Sequence, residues 1–137
     1  MKDERVTRET ALLAKEIGYD IPCDALYPYQ DSYVIKHSAA LRDWNNVRTS
    51  PGEKTLASAP TQTALIRWLL EVEMVSVEWK SNGGHDKWVG KVISYKGDEH
   101  MVATVNLLKA RKEKAIEICL VKALYYVKKH RNKGVLT

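Results

Sequence analysis

The change of hydrophobic period at residues 74–75 constrains this chain more than any other feature. Upstream, Leu65, Trp68, Leu69 and Val72 recur three and four apart, the spacing of one helical face. Downstream, Val75, Val77 and Trp79 alternate with Ser76, Glu78 and Lys80, so one face of a strand is apolar. Asn82-Gly83-Gly84-His85-Asp86 then reads as a turn, Trp88–Tyr95 as the returning strand, and Lys96-Gly97-Asp98 as its end. A helix running directly into a hairpin must share one core with it, which selects an α+β arrangement.

The flanking segments extend that reading. Val6, Thr10, Leu13, Ala14 and Ile17 share a face, predicting a helix over 5–17 that Gly18 terminates and Pro22 blocks. Around the polar centre Gln30-Asp31-Ser32, aromatic and β-branched residues predict a first hairpin over 25–36, with Pro28 placing its first strand at an edge. Ser38 is positioned to cap a short helical turn, 39–44. Residues 45–58, punctuated by Pro51-Gly52, read as a mobile loop. Thr61 caps the second helix, about 61–73, with Pro60 at its start. A long helix occupies at least 111–130, with Ile116, Cys119, Leu120, Ala123 and Val127 inward and Leu108 and Tyr126 at the margin. Residues 101–108 fit either a third strand or the first turns of that helix; Lys109 near the core stripe argues for the later start. The expected fold is one α+β domain spanning 1–137, a small, mainly antiparallel sheet of two hairpins packed against three helices, ending in a basic tail at about 128–137.

At 137 residues a single core suffices without a disulfide or metal staple. No apolar run is long enough to span a bilayer, and the charged N-terminus lacks the apolar stretch of a secretory signal. A reducing cytoplasm is therefore expected, with Cys23 and Cys119 as free thiols. The net charge of +5 is local. Residues 107–133 hold nine bases and two acids, whereas the rest of the chain carries more acids than bases.

No Gly-rich phosphate loop, nucleophile elbow or His-Glu-x-x-His is present, and the four histidines are scattered. No catalytic residue, cofactor or metal site is expected, and no small-molecule substrate is evident. His85-Asp86 reads as a polar turn, and Ile21-Pro22-Cys23 as a packing corner. Trp68 and Trp79 fall on core stripes; Trp44 is a candidate surface residue. Tyr27, Tyr29 and Tyr33 fit half-buried sheet positions or a base-stacking platform.

The long helix carries the candidate contact residues: Arg111, Lys114, Lys122, Tyr125, Lys128, Lys129, Arg131 and Lys133, suited to phosphates or an acidic partner. Ile118, Val121 and Tyr125 lie among these bases. An apolar strip there implies cover, from the first helix or from a second copy in a symmetric dimer.

Certain motifs resemble a family. Gly18-Tyr19-Asp20-Ile21-Pro22-Cys23 follows the opening helix, and Trp44-Asn45 comes later. Ser58-Ala59-Pro60-Thr61-Gln62 leads into Ala64-Leu65-Ile66-Arg67-Trp68-Leu69-Leu70-Glu71. Glu113-Lys114-Ala115-Ile116-Glu117, Leu120 and Ala123-Leu124 stand near the end. The chain is thus similar to small uncharacterised phage and prophage proteins of gut Bacteroidetes. It departs from them in the bases that open its last helix and in its basic end. The resemblance implies a host-cell cytoplasmic or virion setting and assigns no activity. Two functions follow as expectations: a non-enzymatic accessory or interaction protein, or a nucleic-acid-binding module using the basic helix.

Overall fold

Helix α1 (Arg8–Glu16) starts where Thr7 Oγ1 accepts the Thr10 amide at 3.4 Å, satisfying one of the amides that a helix start leaves unpaired. The structure is a computed structural model that describes residues 4–28, 35–36, 41–46, 56–84 and 86–135. They form two units, 1–61 and 62–137, with a three-stranded antiparallel sheet in each. The α+β class is thus observed, with two sheets where one was expected.

In the first unit α1 ends in a Schellman arrangement. Gly18 takes φ 93°, its amide donates to Lys15 O, and the Tyr19 amide donates to Ala14 O. The helix starts later than its sequence pattern because Arg5 and Val6 are extended: Arg5 bridges Thr61, and the Val6 amide donates to Pro60 O at 3.0 Å. Strand β1 (Ala25–Tyr27) lies between β2 (Ile35–Lys36) and β3 (Ala57–Ser58), in the order β2-β1-β3. Its pairing with β2, Ala25 opposite Lys36, matches the first hairpin. Two expectations change. The strand before Pro28 is central, since Pro28 falls just beyond its end and removes no ladder donor. Residues 57–58 are a strand rather than loop, because β1 offers them a second edge. Residues 37–40 and 47–55 lie outside the described residues, and the helical turn occurs at Trp44–Asn46.

The second unit follows the order helix, three strands, helix. Helix α2 (Gln62–Glu73) buries Leu65, Trp68 and Leu69, while Val72 is 54% exposed and does not belong to its core face. Met74, at φ 56°, breaks the helix without a glycine, and its carbonyl accepts the Tyr95 amide. Strands β4 (Val75–Ser81), β5 (Trp88–Ser94) and β6 (His100–Leu107) form a meander in that order. Residues 100–107 are therefore strand. Lys109, at φ 54°, turns the chain before helix α3 (Lys112–Val135), so Lys109 stays off the helix. The helix runs on through 128–135, where a tail was expected.

Helix α3 packs on all three strands, and α2 packs beside it on β4. Ala115, Ile116, Cys119, Leu120, Ala123, Leu124 and Val127 are buried from α3. The sheet contributes Val75, Val77, Val92 and Val105. Trp79 lies opposite Gly90 in register but remains 37% exposed, at the edge of this core rather than inside it. Gly90 permits the close approach of α3: a Cβ built there would fall well inside contact distance of Cys119 Sγ. Buried Gln62 ties the helix starts together, its Nε2 donating to Glu113 O at 3.0 Å and to Glu117 Oε1 at 3.1 Å.

Two stability outcomes follow. Trp68→Ala, which empties a side-chain volume only 4% exposed, lowers unfolding free energy by roughly 3–5 kcal/mol in chemical denaturation. Gly90→Ala costs about 1–3 kcal/mol through overpacking. Because Cys119 Sγ is the obstructing atom, Gly90→Ala with Cys119→Ala is less destabilised than the sum of the single changes; strict additivity would mean α3 does not seat on Gly90.

Candidate functional site

The candidate contact residues divide into separate places along α3. At about 1.5 Å per residue, Arg111 and Lys133 stand roughly 33 Å apart along the helix, too far to act as one point site. Arg111 and Lys114 are exposed at its start. Lys122, Tyr125 and Lys129 line a recess of about 330 Å³ with Val102, Ala103 and Tyr126. Lys128 is half-buried, and the Lys133 side chain lies outside the described residues. Arg131 forms an ion pair with Glu73, whose side chain is 8% exposed, so part of its charge balances a buried carboxylate. Of the apolar strip, Ile118 and Val121 are half-buried and Tyr125 is 55% exposed.

The start of α3 gains a neighbour that spacing in the sequence did not reveal. The β4–β5 turn closes with the Asn82 amide on Lys87 O at 2.8 Å and Ser81 Oγ on Gly84 O at 2.7 Å, with Gly83 at φ 87°. The Ala110 amide then donates to Asp86 O at 3.1 Å, fastening this turn to the entry of α3. Exposed Lys87 thereby joins Lys109, Arg111, Lys112 and Lys114 around a helix N-terminus, against the acids Asp86 and Glu113. The aligned peptide dipoles add positive potential there. Asp86 thus serves through its backbone carbonyl; His85 lies outside the described residues.

A second feature occupies the opposite end of the same sheet. A cleft of about 390 Å³ is lined by Glu73, Val75, Ser94, Lys96, His100, Tyr126, Val127, His130 and Arg131. His100 Nδ1 lies 2.9 Å from Asp98 O, and its Nε2 lies 3.0 Å from Tyr126 Oη. A carbonyl only accepts, so Nδ1 carries the proton and the ring is held in one tautomer. The His130 ring lies against Tyr126, with centroids 4.1 Å apart and planes tilted by 44°. The sequence shows His100 and His130 as scattered residues; strand β6 brings His100 to Tyr126, while His130, four residues further along α3, shares its helical face.

In the first unit the tyrosine platform does not form from Tyr27, which is 5% exposed with its hydroxyl donating to Val6 O. Tyr29 and Tyr33 lie outside the described residues. Trp44, a surface candidate, is buried, and its Nε1 donates to Cys23 O at 2.8 Å. That bond and the backbone pair between Cys23 and Arg42 make the Pro-Cys segment a packing corner. Burial raises the Cys23 thiol above its ordinary range, partly offset by Ser58 and Arg5. A thiol held in its protonated form is a poor nucleophile.

Among the described residues no group of three or more His, Cys, Asp or Glu is gathered to hold a metal ion, and no helix is long and apolar enough to cross a membrane. Comparison with known proteins finds no match among family models, curated proteins or solved structures.

Cys119 provides a measurable consequence of its burial between α3 and the sheet. Desolvation pushes its thiol up to about 11, with Lys122 opposing. The folded chain then holds a proton that the unfolded chain releases at about 9, so this contribution is complete below pH 9 and lost as pH rises through about 11. Denaturation midpoints of the wild type therefore fall more steeply over that window than those of Cys119→Ala; parallel curves would contradict the assignment.

Proposed function

We propose that the chain is a non-enzymatic accessory protein of a phage or mobile element, whose second unit binds the phosphate backbone of double-helical nucleic acid. The observation that carries this reading is the Ala110–Asp86 hydrogen bond, which gathers Lys87, Lys109, Arg111, Lys112 and Lys114 at the start of α3. Such an assembly suits phosphates, because lysine and arginine charges and helix-terminal amides all favour an anion. The outward side of the sheet supports a duplex over a single strand. Its exposed residues Glu78, Lys80, Thr104 and Asn106 include no aromatic ring on which an unpaired base would stack. The phage setting, in a bacterial cytoplasm or a virion, rests on the resemblance of the capping and core motifs. A protein partner or second copy belongs to the strip of Ile118, Val121 and Tyr125 on the same helix.

Fluorescence anisotropy with labelled duplex DNA, duplex RNA and single strands, at several salt concentrations, tests the reading. Duplex affinity falls steeply with salt, and Arg111→Ala with Lys114→Ala reduces the slope of log K against log salt by about 1.8 for two lost phosphate contacts. Preference for single strands, or an unchanged slope, rejects it. Lys133→Ala serves as a control placed far along the helix.

A further inference from the structure

The cleft at the other end of the sheet has the build of a ligand site. Its volume of about 390 Å³ lies within the range of small-molecule pockets, roughly 300–1,000 Å³. Its floor is apolar, from Val75 and Val127, which are 1% and 3% exposed. One wall is formed by two rings in contact, Tyr126 and His130, whose planes are tilted by 44°, with Tyr126 oriented by the His100 bond. Around the opening stand exposed Lys96, His100, His130 and Arg131. The one lining carboxylate, Glu73, is paired with Arg131. Ser94 Oγ, at the base, accepts the Lys96 amide at 3.3 Å and so sets the path of the backbone that carries Lys96.

These features sort a ligand by its parts. Lys96 favours an anionic group at the opening. Glu73 and Arg131 satisfy each other, which leaves the opening, beside Lys96, for the charged group. The ring wall accepts an uncharged body with a flat ring that packs against Tyr126 or His130. We infer that this cleft binds a small phosphorylated organic molecule of mononucleotide size, with its phosphate at Lys96 and its ring against Tyr126 and His130. This site uses none of the residues assigned to duplex binding.

Isothermal titration of the full chain with AMP, adenosine and inorganic phosphate tests the inference. AMP binds saturably and more tightly than either fragment, because only it engages the ring wall and the opening together. Lys96→Gln weakens AMP by about tenfold, the effect of one lost charge-assisted bond. His130→Ala also weakens it, and both variants retain the wild-type far-UV circular dichroism. Arg111→Ala with Lys114→Ala binds AMP as the wild type does. Absence of saturable AMP binding, or wild-type affinity in both folded cleft variants, overturns the inference. An AMP affinity that follows the Arg111 and Lys114 pair instead moves the phosphate to the start of α3 and overturns it equally.

Discussion

The contact of Cys119 with the bare backbone of Gly90 governs the second unit. A helix lies this close to a sheet only where the facing strand residue has no side chain, and β5 provides that at its centre. With α3 seated there, Ala115 and Ala123 are wholly buried, and the larger Leu120 and Leu124 fill the space beside them. Everything proposed for function depends on that seating. It decides which end of α3 meets the β4–β5 turn and which side of it meets His100.

Polar ties then set the two ends of α3. At the start, Gln62 spends its amide group on Glu113 and Glu117, and the Asp86 carbonyl takes the Ala110 amide. Neither tie uses the basic side chains of Arg111 and Lys114, which are exposed at a helix terminus. Toward the other end, Arg131 answers Glu73, the last residue of α2. A buried carboxylate without that partner would carry a large desolvation cost, so the pair couples the lining of the cleft to the packing of both helices. The first unit relies on a different economy, in which short strands are held by capping and side-chain bonds. Arg5 spans Ala59 O and Asp24, while Asn45 joins Tyr19 O to the Ser58 amide.

Much of the framework was legible because local physics decides it. Gly18 ends α1 through the left-handed backbone that glycine adopts at least cost, and the change of period at 74–75 marks the passage from α2 to β4. Harder to see were features whose partners are remote. Strand β3 is two residues in a polar stretch and exists only because β1 presents an edge. Met74 and Lys109 take the left-handed conformation without the glycine that would have signalled it. Trp44 looked superficial beside two asparagines, yet a carbonyl 21 residues away satisfies its indole inside the fold.

The candidate sites divide along the same line. The amino-acid sequence by itself determined that the last helix has an apolar core stripe that includes Cys119 and a second face where bases surround Ile118, Val121 and Tyr125, and that a glycine-rich turn joins two alternating strands. Those are properties of spacing along one segment, which helical and strand geometry convert directly into faces. Only the tertiary structure decided that Asp86 meets Ala110, that Arg131 is drawn to Glu73, and that His100 reaches Tyr126. The physical reason is that each of these three contacts joins residues far apart in the chain, whose meeting depends on how the meander twists and where α3 comes to rest, and no local pattern encodes that register.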